Sequence, residues 1–102
     1  MVLVEFSMTP IGKGESVSEQ VVKVLDLVDK SGLPYRFNAM STLVEGDLEE
    51  VFSLIRRCHK ELEKTCPRIY TIIKMDHREG YKDMLNYKVG SVEEKLGRQL
   101  RK

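Results

Sequence analysis

The chain has 102 residues and 11.8 kDa, which fits a single domain over residues 1–102 with one core and leaves no room for a second. Seventeen Lys and Arg stand against 16 Asp and Glu, so the formal charge is +1, with 41% hydrophobic and 32% charged residues. This composition is that of a globular protein; it argues against a polyanion binder, which needs a basic excess, and against an acidic tail.

Val2, Val4, Phe6 and Met8 alternate with Leu3, Glu5, Ser7 and Thr9, the period of a half-buried strand that Pro10 and Gly12 end. Ser16 and Glu19 have capping-box spacing, and Val17, Val21, Val24, Leu25 and Val28 recur at helical intervals as far as Ser31-Gly32. After Pro34, Tyr35 to Asn38 and Met40 to Glu45 read as two paired strands closed by Gly46. Asp47 and Glu50 repeat the capping-box spacing. Leu48, Val51, Phe52, Ile55, Leu62 and Cys66 then form the apolar stripe of a second long helix that stops near Pro67.

Arg68 to Asp76 is the most strand-like stretch, with Ile69, Thr71, Ile73 and Met75 on one face and Tyr70, Ile72, Lys74 and Asp76 on the other. A polar loop from His77 to about Tyr87 follows. A short final helix is predicted from Ser91 and Glu94, carrying Val92, Leu96 and Leu100, with Gly97 weakening it.

The order β, α, β, β, α, β with right-handed crossovers predicts an α+β, ferredoxin-like βαββαβ sandwich. Its four-stranded antiparallel sheet carries both long helices on one face, plus a C-terminal helix. If Val2, Phe6, Ile69 and Ile73 face the helices, Leu3, Tyr70 and Ile72 remain on the bare face, which a second copy of the chain would cover.

Cys58 and Cys66, on one predicted helix, lie roughly 12 Å apart at about 1.5 Å per residue, beyond the roughly 7 Å that a disulfide spans. There is no CxxC, HExxH or Cys/His cluster, so no metal site is expected. No apolar run approaches the roughly 20 residues that span a bilayer, and the N-terminus has no signal-peptide pattern. The chain is therefore expected in the cytoplasm, with no membrane partner.

Five stretches together resemble the thiamine-binding-like family: Phe6 to Gly12, Ser41 to Gly46, His59, Arg68 to Arg78, and Ser91 to Leu96. The similarity runs from Val2 to Leu96 and rests on the ordered combination of pieces. This family comprises single-copy relatives of two-repeat proteins that bind thiamine or its hydroxymethylpyrimidine part. The resemblance implies a ferredoxin-like fold, dimers or tetramers formed through the sheets, and non-catalytic binding of a thiamine-like molecule, with no cofactor. Where some relatives have Gly or Asn before the threonine, this chain has Ser41, which alters a possible polar contact.

Thiamine requires hydrogen-bond partners for an aminopyrimidine, apolar walls for two rings, and a negative or π environment for the thiazolium cation. Five residues are candidate ligand contacts: Ser7, Asn38, Thr42, Glu45 and His59. Asn38 offers both a donor and an acceptor, while Ser7 and Thr42 offer hydroxyls that could instead bond across the sheet. Glu45, beside Gly46, could neutralise the thiazolium or be a solvated hairpin-end carboxylate. At about 100° per residue His59 falls between Leu48 and Phe52, inside the apolar stripe, and so is expected to face the sheet as a core histidine or a ligand contact. Tyr35 and Phe37 read as core rather than as a stacking platform. Arg68 and Arg78 are roughly 30 Å apart at about 3.3 Å per residue and cannot share a phosphate within one subunit.

Three other classes compete. An RNA-recognition domain shares the element order but needs aromatics on its central strands, where this chain has Met40 to Glu45. A regulatory module sensing another metabolite, such as an amino acid, shares the fold, and Pro10 to Gly14 could mimic its glycine loop. An enzyme finds no nucleophile elbow and no phosphate-binding glycine motif, only a possible Glu45 and His59 acid-base pair.

Overall fold

A computed structural model describes residues 1–12 and 17–101. Its elements are β1 (Val2–Ile11), α1 (Val17–Lys30), β2 (Tyr35–Phe37), β3 (Thr42–Gly46), α2 (Leu48–Glu63), β4 (Arg68–His77) and α3 (Met84–Leu96). The sheet is four-stranded in the order β2-β3-β1-β4, with every neighbour antiparallel, so the ferredoxin-like sandwich forms as the alternation predicts. The Ser16 half of the first capping box and Gly14 lie outside the described residues.

Strand periodicity sorts the side chains. Val2, Val4 and Phe6 of β1 and Val44 of β3 are buried with Val24 and Val28 of α1 and with Val51, Leu54, Cys58 and Leu62 of α2. Each such side chain contributes about 1.5–3 kcal/mol by leaving water. Registers Phe6↔Thr42 and Phe6↔Ile73 carry this face across the sheet, so Leu3, Glu5, Ser7, Leu43, Glu45, Tyr70 and Ile72 point away from α1 and α2. Gly46 leaves room for the Leu33 side chain from the segment after α1: a Cβ there would lie 3.1 Å from Leu33 Cδ2.

β1 outruns its neighbour. β3 begins at Thr42, opposite Phe6, whereas β1 continues to Ile11, paired beyond Phe6 with β4 alone. Pro10 therefore stands inside β1 instead of ending it, in the part of the strand that has one neighbour, where a missing N–H is tolerated.

α2 corrects the expected stripe. Its buried residues are Val51, Leu54, Ile55, Cys58 and Leu62, while Leu48 and Phe52 are exposed. The centre of the buried face is therefore rotated by about 50° from the predicted one, at about 100° per residue. Helix initiation falls where predicted, but Asp47 makes no side-chain cap bond; the first turn is closed by the Val51 N–H donating to the Asp47 carbonyl at 2.9 Å.

The third helix begins earlier than its sequence suggests. Met84 to Tyr87, read as loop, are helical, and Ser91, read as a cap, lies mid-helix. Asp83 starts the helix in a left-handed conformation (φ 55°), and Gly97 (φ 74°) ends it, so Gly97 terminates the helix and Leu100 lies beyond it. In the preceding segment the Arg78 guanidinium sits 3.9 Å from the Tyr81 ring centre and 5.4 Å from that of Tyr87. The two tyrosine rings meet edge to face at 5.2 Å.

Candidate functional site

The early start of α3 is explained by Glu45. This side chain, 1% exposed, points to the sheet face opposite α1 and α2. Its two oxygens accept the N–H groups of Met84 at 2.7 Å and Leu85 at 3.1 Å. These are two of the donors that a helix N-terminus leaves without intrahelical partners, so Glu45 caps α3 from a strand 39 residues upstream. Arg36, on the same face, donates to the Asn86 side chain. α3 thereby lies against the face that the sequence left bare.

His59 is exposed at 47% of its side chain, with Nε2 3.5 Å from Glu63 on the next turn of α2. It does not face the sheet, because the α2 stripe centres on Leu54 and Cys58 instead of on Leu48 and Phe52. Glu45 and His59 therefore belong to opposite sides of the sheet, which separates the imagined acid-base pair.

The other three candidates converge. Ser7, Asn38 and Thr42 line one cleft of about 170 Å³, beside the start of β3, where β1 runs on paired with β4 alone. Its apolar wall comes from Val21, Val24 and Leu25 of α1. The opposite wall is the β2–β3 turn, closed by the Asn38 N–H donating to the Ser41 carbonyl at 2.9 Å. The register that pairs Phe37 with Thr42 sets Asn38 and Ser41 facing one another just beyond the strands.

Two cleft residues escaped the sequence reading. Phe37, expected in the core, is 53% exposed and lines the cleft, since β2 is an edge strand too short to be covered. Met40 lines it from the turn at 87% exposure. Tyr35, by contrast, packs against the core and donates its hydroxyl to Asp29 at 2.8 Å, an interaction that raises the tyrosine pKa.

No charged side chain lines this cleft among the described residues. Hydroxyl and amide groups beside an aromatic ring suit a neutral, flat, hydrogen-bonding heterocycle. Among the described residues no three His, Cys, Asp or Glu come together to hold a metal ion. Nor is any described helix long and apolar enough to cross a membrane. Thr71, on the helix-facing side of β4, has a buried hydroxyl with no hydrogen-bond partner among the described residues.

The model of a protein family described as thiamine-binding protein matches residues 4–93 of this chain. The chain belongs to that family. It is 42% identical over 96 residues to a UPF0045 protein of Mycobacterium bovis, covering 93% of this chain and 94% of that one. A UPF0045 protein of Methanocaldococcus jannaschii is 32% identical over 93 residues, covering 91% and 93%. A crystal structure of a hypothetical protein from the same archaeon superposes with a TM-score of 0.82 at 32% identity, covering 91% of this chain and 96% of that one. A Thermotoga maritima crystal structure, described in connection with thiamine biosynthesis or salvage, has a TM-score of 0.79 at 21% identity over 89% and 97% of the chains. That likeness bears on the fold. Family membership and the ferredoxin-like architecture therefore agree.

Proposed function

We propose that this protein binds thiamine or a related aminopyrimidine without transforming it, as a cytoplasmic homo-oligomer. The observation that carries the reading is the cleft in which Ser7, Asn38 and Thr42 stand beside Phe37, with no charged lining side chain among the described residues. An aminopyrimidine presents donor and acceptor edges around a flat ring. Asn38 supplies both complements, the two hydroxyls supply either, and Phe37 offers a face for stacking. The family to which the chain belongs supports the ligand class.

Self-association is supported by what the fold leaves uncovered. β4 is an edge strand whose Tyr70, Ile72, Ile73 and Met75 are all exposed, and Val92 and Leu96 are exposed on α3. Exposed apolar surface of this kind marks contact surfaces. The radius of gyration, 15.1 Å, exceeds the roughly 13 Å of a compact chain of this length.

Isothermal titration of the purified protein with thiamine and with hydroxymethylpyrimidine tests the binding role. Saturable heat that is lost in Asn38→Ala supports it; absence of heat from both ligands, with the protein folded, removes it.

A further inference from the structure

The cleft has a neighbour. Phe6, Ser7, Met40 and Ser41 also line a second hollow of about 250 Å³, completed by Glu5 and Ile72. Glu5 and Ile72 lie on the sheet face away from α1, whereas the first cleft is walled by α1. The two spaces meet at the free edge of β1, beyond Phe6, where β3 begins. A molecule with two rings joined through one carbon can pass round that edge, with one ring in each space and Ser7 between them.

The two spaces differ in charge. The first has no charged lining residue among those described, and the second has one, Glu5. Its Oε2 accepts the Ser41 hydroxyl at 2.9 Å, which fixes the carboxylate against the hollow. Its Oε1 faces Lys74 Nζ at 3.6 Å, and the Lys74 side chain is 77% exposed. At that length and exposure the ammonium is a loosely held counter-ion. A flat cation entering the hollow would take its place, with the polarizable Met40 side chain beside it. Glu45, the other carboxylate the sequence offers for this role, has both oxygens committed to α3.

We propose that Glu5 determines specificity for a two-ring ligand, its carboxylate facing the cationic ring while the neutral ring occupies the cleft beside Asn38. This inference rests on the thiamine reading given above. It makes the protein prefer thiamine to free hydroxymethylpyrimidine, and it assigns the preference to one side chain that leaves the pyrimidine site untouched.

Titration calorimetry with thiamine and with hydroxymethylpyrimidine, on wild type, Glu5→Gln and Lys74→Ala, tests it. Glu5→Gln keeps the acceptor for Ser41 and removes the charge, so thiamine affinity falls about fivefold while hydroxymethylpyrimidine affinity is unchanged, which also certifies the fold of the variant. Lys74→Ala removes the competing cation and strengthens thiamine binding about twofold. Equal weakening of both ligands by Glu5→Gln, or none of either, overturns the role of Glu5 and leaves the pyrimidine cleft standing. Loss of thiamine affinity in Lys74→Ala also contradicts it. If wild type takes up neither ligand, the binding reading fails first and this inference falls with it.

Discussion

The carboxylate of Glu45 receives the backbone N–H of Met84 at 2.7 Å, and with Leu85 at 3.1 Å this joins the third strand to the start of the last helix. A charged acceptor serving two main-chain donors in a buried place is worth more than an ordinary exposed cap. Glu45→Ala therefore costs about 2–3 kcal/mol in urea unfolding, and amide exchange in residues 84–96 accelerates more than in α2. Ligand affinity stays at the wild-type value, because Glu45 does not line the cleft.

His59 carries the opposite expectation. Half-exposed and 3.5 Å from Glu63, it contributes a surface contact whose loss is worth at most about 0.5 kcal/mol. His59→Ala is expected to unfold at the same urea concentration as wild type and to titrate with the same affinity. A large loss of either would restore the histidine to the core that the sequence suggested for it.

Cys58 gives a pH prediction. Burial pushes its thiol pKa up to about 11 from an ordinary value of 9.0. Because the folded pKa lies above the unfolded one, the unfolded chain releases this proton first as pH rises. The contribution is complete below about pH 9 and is lost progressively between about pH 9 and pH 11, to the extent of about 2 kcal/mol. Denaturant titrations across that window should show wild type losing this stability relative to Cys58→Ala. Parallel pH profiles for the two proteins would contradict it.

Exposed apolar residues on β4 predict the mass in solution. Light scattering is expected to give at least twice the 11.8 kDa of one chain, and the double variant Tyr70→Lys, Met75→Lys should shift it toward the monomer. A wild-type protein already at 11.8 kDa would show that this surface is not an interface between copies.

The sandwich itself was legible because its signals are local. Val2, Val4 and Phe6 alternate and are buried as their period demands, and Val24 and Val28 recur on the buried side of α1. Where competing apolar residues flank a helix, periodicity has no way to weigh them: Leu48 and Phe52 looked like core, but Leu54 and Cys58 hold it. The start of α3 was illegible for another reason, since its cap is a side chain from β3 that no local spacing records. Ser7, Asn38 and Thr42 were chosen for their chemistry, and the sheet brings them together. Phe37 and Glu5 were missed because their exposure depends on where β3 begins, a property of strand pairing that residue type does not carry.

The cleft beside Asn38 is assigned above to an aminopyrimidine. The most direct measurement is calorimetric titration of hydroxymethylpyrimidine into wild type and into Asn38→Ala, a substitution at an exposed turn position that leaves the core intact. Wild type is expected to bind saturably and the variant at least about tenfold more weakly, the value of a lost donor and acceptor together. Identical titrations of the two proteins, or no heat from a folded wild type, would contradict it.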